Sequence, residues 1–232
     1  MSETFDKVIG IKQLPLFPLP IVLLPNELLP LHIFEPRYRQ MLKDIELRRN
    51  IFGLSFLDPE SGLGDKPEPG TIGCAAEVRE SHLQPDGRSN ILTSGLVRYR
   101  LLDYVDEGTP YYVGDVEFFH DEEEDPTTLK PLADHVHELF ERVAKAAFKL
   151  SGGRGEYPEV PQAEPEALSF LVTAAFNLDN AMKYKFLEMT STAKRLRKLR
   201  GILKRAVGKM EESADMHDLV QTNGHSKRKV DL

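Results

Sequence analysis

The residues that could do chemistry are few and scattered. Phosphate chemistry driven by ATP needs a glycine-rich loop ending in Lys-Ser/Thr, and no GxxxxGK[ST] occurs; Gly208-Lys209 is followed by Met210 inside a helical pattern. There is likewise no GxSxG elbow, no HExxH pair and no CxxC, so the common serine-hydrolase and zinc chemistries find no anchor. His135 and His137 stand two apart on a predicted helix and point to different sides, which excludes a shared metal. His120 beside Asp121–Glu124 could offer oxygens to a hard cation, but a five-carboxylate run closed by a proline is read first as a solvated linker. Cys74, the single cysteine, sits between Gly73 and Ala75 in a strand pattern and reads as a small buried hydrophobe. His32, within LPLHIFE, reads as a structural histidine. No catalytic residue, metal ligand or cofactor is therefore assigned.

One charged cluster stands out. Lys194, Arg195, Arg197, Lys198, Arg200, Lys204 and Arg205 place seven cations within twelve residues of the last helix. Arg195, Arg197, Lys198 and Lys204 would form a strip for nucleic-acid phosphates. No aromatic residues are interleaved for base stacking, and the net charge of −7 opposes nucleic-acid affinity, so a solvated helix face is the simpler reading.

The elements that position these residues follow from periodicity. LPLFPLPIVLLPNELLPLHIFEPRYR, residues 14–39, is apolar enough for a membrane, yet prolines at 15, 18, 20, 25, 30 and 36 forbid a spanning helix. It is expected to be extended chain, with Ile21–Leu24 as a short buried strand and Asn26-Glu27 as a turn before Leu28–Phe34. Pro36 opens a helix over 36–49, with Tyr38, Met41, Leu42 and Ile45 on its core face. Strands follow at 51–57, 72–83, 91–105 and 111–119, and the turn QPDGRSN makes a hairpin of the middle two. In 91–105, Val97, Tyr99 and Leu101 alternate with Arg98 and Arg100, which predicts a wet face carrying the arginines.

After residue 120 the period changes from two to 3.6. A long helix carries Leu129, Leu132, Val136, Val143 and Ala147, capped by Thr127 or Thr128 and stopped at Ser151-Gly152-Gly153. Pro165 opens the next helix, Asp179 caps a short one over 180–189, and Leu196, Leu199, Leu203, Ala206 and Met210 mark the seam of the last. The chain is thus an α+β protein: a mixed, mostly antiparallel sheet curled into a small barrel over residues 10–120, a helical subdomain over 121–210, and a disordered tail over 211–232. With a single cysteine and no apolar leader, the chain is expected in the cytoplasm, with no membrane segment.

With these segments in order, the chain resembles the LON domain, the amino-terminal substrate-recognition domain of the ATP-dependent Lon protease. LPLFPLPIVLLPNELLPLHIFEPRYRQML resembles the family's opening element, GTIGCAAEV and DGRSNILTSGLVRYRLLDY its central strands, YYVGDVEFF its closing strand, and FLEMTSTAKRLRKLRGIL its helical end. The resemblance covers residues 12–208. It implies a PUA-like pseudo-barrel followed by a C-terminal helical bundle, and a non-catalytic module that binds unfolded polypeptide or a specific protein partner, such as a protease or chaperone. The motor and Ser-Lys protease that follow this domain in Lon have no counterpart in the sequence, so neither activity is expected. The resemblance also points to Glu35, Arg37 and Tyr38 as the polypeptide-contact zone. The competing reading of those residues packs Tyr38 in the core and uses Glu35 to cap the helix.

Overall fold

The computed structural model describes residues 3–59, 66–152 and 160–223, with side chains through residue 210, so parts of the two expected Gly/Pro loops fall outside it. The chain divides into two compact units, Met1–Glu122 with Phe170–Thr190, and Glu123–Ser169 with Ser191–Leu232. Residues 170–190, expected to lie with the other helices, belong instead to the sheet's unit, because Phe170 and Leu187 are buried in the sheet's own core cluster.

The first unit begins with α1 (Glu3–Asp6), β1 (Gln13–Leu19), β2 (Leu28–Ile33) and α2 (Pro36–Glu46). It continues through β3 (Ile51–Phe56), β4 (Ile72–Leu83), β5 (Ser89–Val105) and β6 (Tyr112–Phe119). The sheet order is β2-β5-β4-β3-β1-β6, and β6 also pairs with β5. Hydrogen bonding therefore runs from β5 through β4, β3, β1 and β6 back to β5, and β2 is attached to β5 alone. β1 and β3 are parallel, whereas the other pairs are antiparallel.

The expected strand at Ile21–Leu24 is not formed. Val22, Leu23 and Leu24 are buried, as predicted, but the strand is Gln13–Leu19, two prolines included. Its first half, Gln13–Leu16, pairs with β6 and its second, Leu16–Leu19, with β3. Pro15 and Pro18 thus each lie where one flank has no ladder to supply, which is how a strand between two neighbours accommodates residues lacking a donor.

Two apolar clusters fill the unit. In one, the Phe17 ring packs tilted against Tyr38 (centroids 4.0 Å apart) and Phe52, with Met41 and Ile45 of α2 and Phe170 and Leu187 around them. The other gathers Leu14, Leu16, Val97, Leu101 and Val116 about Tyr99. The fully buried Tyr99 shares a 2.7 Å hydrogen bond with Ser55 Oγ, and its ring occupies the space where a Cβ on Gly53 or Gly73 would sit. Those two glycines are there for the approach of a large side chain.

Arg98 departs from the predicted wet face. It is 1% exposed. Its guanidinium donates to Leu187 O (3.0 Å), to Met189 O (2.6 Å) and to the Asp121 carboxylate, with the rings of Phe119 and Phe170 beside it. A fixed five-donor fork can satisfy a carboxylate and two carbonyls at once, so strand alternation put a cation inside because acceptors were waiting there.

The second unit is built on α3 (Pro126–Leu150) and α6 (Thr192–Asn223). Ala133, Val136, Leu139, Val143 and Ala146 face Leu196, Leu199, Leu203 and Val207. Between them in sequence come α4 (Pro165–Ala175) and α5 (Asn180–Glu188), the latter capped by Asp179, whose side chain accepts from Met182 N at 2.6 Å. The cap of α3 is Asp125 rather than Thr127 or Thr128: its carboxylate accepts from Thr127 N and Thr127 Oγ1, with Pro126 at the first helical position. Hydrogen bonding to the threonine holds the Asp125 carboxyl below its ordinary range. Past Glu212, where a tail was expected, α6 continues to Asn223; helix formers such as Glu211, Glu212 and Ala214 propagate a helix already nucleated upstream. Positions 224–232 lie outside the described residues.

Candidate functional site

The acidic run that follows β6 is not a bare linker. Asp121 pairs with Arg98, Glu122 accepts from Thr190 Oγ1 at 2.6 Å, and Glu124 accepts from Ser191 Oγ and from Ala193 N at the start of α6. Asp121, Glu122 and Glu124 are thus engaged in local structure. His120 packs against Phe5, with ring centroids 4.0 Å apart, and His137 Nε2 bonds to Val160 O. Among the described residues no group of three His, Cys, Asp or Glu side chains could hold a metal ion. Cys74 is fully buried, and burial pushes its thiol far above the ordinary range, which disfavours the thiolate.

The basic strip on α6 is reduced by folding. Arg195 is fully buried and donates to Ser169 Oγ (2.9 Å) and Thr192 Oγ1 (3.1 Å). The predicted surface cation is a structural one, because position 195 falls on the seam beside Leu196 and Leu199. Arg197 and Lys204 are exposed and Lys198 is half-buried.

At the start of α2, Tyr38 is core, packed against Phe17, with the Arg37 guanidinium 4.6 Å from its ring centroid. Glu35 occupies the cap position by backbone geometry but makes no capping hydrogen bond; its carboxylate accepts from Arg37 Nε at 2.9 Å. Glu35 and Arg37 thus form a half-exposed ion pair at the surface, and Tyr38 supports it from below.

The chain leading into that pair carries apolar side chains on its exposed face. Along β2, exposure alternates: Leu28, Pro30 and His32 are exposed, Leu29 and Leu31 half-buried, Ile33 buried. Leu28 is 61% exposed and Phe34, immediately beyond the strand, 58%. The His32 and Phe34 rings stack at 6.0 Å, and His32 Nδ1 lies 2.6 Å from Asn90 Oδ1. Register places Ser94, Leu92 and Asn90 of β5 opposite Leu28, Pro30 and His32, and Glu80 and His82 of β4 beyond them. An apolar row of Leu28, Pro30 and Phe34 is therefore bordered by His32, His82, Glu80 and the Glu35–Arg37 pair.

The strand is anchored where it begins. Asn26 adopts the left-handed conformation (φ 65°), its N–H donating to Gly95 O, and Glu27 accepts from Leu24 N at 2.9 Å with Lys183 Nζ 3.6 Å away. The outer edge of β2 has no partner among the described residues, but Pro30 guards it. A proline cannot donate to β5, so Pro30 opposite Leu92 suits a non-hydrogen-bonded pair and turns its missing donor outward. The free edge thereby lacks a donor at its middle, and the face is better equipped for binding than the edge.

Sequence reasoning reached Glu35, Arg37 and Tyr38 but passed over Leu28, Pro30 and Phe34. Leu28-Leu29-Pro30-Leu31 is apolar on both faces, so hydrophobic pattern alone gives no sign of which side meets water.

Comparison with known proteins gives a consistent result. Residues 13–205 match the model of the ATP-dependent protease La (LON) substrate-binding domain. Lon protease of Bacillus thuringiensis (strain Al Hakam) is 26% identical over 193 residues, covering 82% of this chain and 24% of that protein. Lon protease of Xanthomonas oryzae pv. oryzae is 24% identical over 209 residues, covering 88% of this chain and again 24% of the relative. The chain spans about a quarter of the length of these curated relatives. Among solved structures, a Lon N-terminal domain protein from Xanthomonas campestris aligns with a TM-score of 0.58 at 22% identity, covering 82% of this chain and 97% of that one. The N-terminal domain of the Mycobacterium avium complex Lon protease aligns with a TM-score of 0.62 at 16% identity, covering 83% and 98%.

Proposed function

The chain belongs to the family of the ATP-dependent protease La (LON) substrate-binding domain, and from that premise we propose that it is a non-catalytic module that recognises polypeptide through the outer face of β2. The family model that matches is that of the substrate-binding domain, not of a motor or a protease. The observation that carries the reading is the exposed apolar row Leu28, Pro30 and Phe34, which ends on the Glu35–Arg37 ion pair. An extended, partly unfolded client would lay apolar side chains along the row and orient against the charges at its end. Tyr38 acts here as the support of the contact zone rather than as a contact. The return of β6 to β5 supports reading the sheet as a PUA-like pseudo-barrel, which keeps β2 outside the ring and leaves its outer face clear. Unfolded chains are the expected clients, and a protease or chaperone that receives them is the expected partner. No described helix is long and apolar enough to cross a membrane, and a single buried thiol suits a reducing cytoplasm. The nucleic-acid alternative draws no support from the family, and it loses Arg195 to the interior.

Fluorescence anisotropy with a labelled, unstructured apolar peptide tests this reading. Covering the exposed part of one large apolar side chain stabilises a complex by ~1–1.5 kcal/mol, so Leu28→Ser and Phe34→Ser should each weaken binding about tenfold. Arg37→Glu should also lower the affinity. Unchanged affinity in well-folded Leu28→Ser and Phe34→Ser variants would remove the β2 face from consideration, and an indifferent Arg37→Glu would remove the ion pair.

A further inference from the structure

A cavity of about 550 Å³ opens between the segment entering β1 and the last turn of α2, with Tyr111 in its wall. It lies apart from the β2 face in sequence and shares no residue with it. Three cations line it, Lys12, Arg48 and Arg49, against one carboxylate, Asp44. Arg49 is committed: its guanidinium donates to Lys7 O (3.0 Å) and Ile9 O (2.8 Å), which ties down the approach to β1. Asp44 is committed too, accepting from Tyr111 Oη at 2.8 Å and from Gln40 Nε2 at 2.8 Å. Burial, reinforced by the Asp44 carboxylate, pushes the Tyr111 phenol up to about 12, so its proton stays on the bond to Asp44.

Lys12 and Arg48 remain. Both are exposed, and neither side chain makes a hydrogen bond or ion pair among the described residues. Ile11, Leu14, Pro15, Ile45 and Ile51 supply the apolar part of the lining, and Gln13 is a further polar side chain in it. Ile9, 50% exposed, and Leu47, 88% exposed, adjoin the lining residues Gly10 and Arg48 in sequence. On a chain of net charge −7, a concave site with two unspent cations over an apolar wall selects for an anion carrying hydrophobic surface.

From this juxtaposition we propose that the cavity is a binding site for a carboxylate on an apolar body, with Arg48 and Lys12 holding the carboxylate and the isoleucines receiving the hydrocarbon. Arg48 can offer two parallel N–H donors to the two oxygens, and Lys12 a third from the β1 side. A phosphate monoester would carry more charge than the site's apolar wall favours. The carboxylate can come from a small free acid or from the end of a polypeptide, and the site's chemistry is the same for both.

An isotope-edited NMR titration of the full chain distinguishes the outcomes. The probes are phenylbutyrate, its amide, and a short peptide ending in Leu-Phe with its terminus free or amidated. Each acid should bind about tenfold more tightly than its amide, with shifts at residues 10–15 and 44–51. Arg48→Gln and Lys12→Gln should each reduce the acid's affinity about five- to tenfold, and Arg48→Lys should restore part of it. Because both side chains are solvent-exposed, these variants fold, and an unchanged melting curve verifies it. Tight binding of phenylbutyrate assigns the site to small acids, and binding of the free-ended peptide alone assigns it to chain termini. Equal affinity for acid and amide, shifts elsewhere, or indifference to both Gln substitutions overturns the proposal. Leu28→Ser and Phe34→Ser should leave this titration unaltered, so it stands or falls separately from the β2 face.

Discussion

Arg98→Met isolates the most heavily committed side chain in the sheet. Methionine keeps most of the hydrocarbon volume, so little of the effect comes from a cavity. What is lost is three acceptors' partner: the Asp121 carboxylate, 5% exposed in its side chain, and the carbonyls of Leu187 and Met189. Stranding one member of a buried ion pair costs ~3–5 kcal/mol. The two carbonyls add on the order of 1 kcal/mol between them if water reaches one of them. A total of about 4–6 kcal/mol, at ~2–4 °C per kcal/mol for a chain of this size, lowers Tm by roughly 10–20 °C. Asp121→Asn should cost less, about 2–3 kcal/mol, because Arg98 keeps both carbonyls and an amide oxygen. Combining the two removes the stranded charge, so the double variant should be more stable than additivity predicts by at least ~1.5 kcal/mol. Thermal unfolding followed by circular dichroism measures all four corners of the cycle. If Arg98→Met falls below the folding threshold, Arg98→Lys, which keeps the charge but loses the fork, supplies a milder corner. A Tm loss of under about 2 °C for Arg98→Met, or strict additivity, would refute the assignment of Arg98 as a buried clamp.

Cys74 should be silent toward a thiol reagent in native buffer and react stoichiometrically in denaturant, since burial both covers it and disfavours the thiolate; rapid native labelling would contradict its placement. Glu77 offers a pH test. Burial pushes its carboxyl up, but hydrogen bonds from Lys7 and Arg79 outweigh that and leave it below the ordinary value of 4.5. A lowered folded-state pKa contributes stability above the ordinary value and loses it as pH falls through the lowered one. The stability gap between the native chain and Glu77→Gln should therefore be open at neutral pH and close under acid, and urea titrations across that range would show a constant gap if the Lys7 and Arg79 contacts contributed nothing.

Much of the architecture was legible from local signals. Asn26 turned the chain, Pro36 opened α2 and Asp179 capped α5, because each acts through its own backbone or its nearest neighbours. What escaped were outcomes decided at long range. Nothing local distinguishes Arg98 from Arg100, yet one is buried against carbonyls from Leu187 and Met189, nearly ninety positions on, and the other stays exposed with a hydrogen bond to Gly70 O. Arg195 was hidden for the same reason, since its acceptor Ser169 lies on another helix. β1 formed through prolines because two different strands share its length, a property of sheet order rather than of Pro15 or Pro18. The candidate site followed this division: Glu35 and Arg37 were pointed to by the family resemblance, whereas the exposure of Leu28 and Phe34 depends on which face of β2 the core claims.

The membership of Phe170–Thr190 in the sheet's unit bears on how the chain acquires its structure during synthesis. All six strands have emerged by Phe119, but Phe170 and Leu187 of their core cluster, and the carbonyls that receive Arg98, come some fifty to seventy residues later. At ~5–20 residues per second, a nascent sheet waits several seconds with a cation and an apolar face uncovered. A fragment stopped just after β6 would hold every strand and still lack part of its core and the carbonyls that receive Arg98, so a truncation intended to isolate the sheet should extend through Thr190.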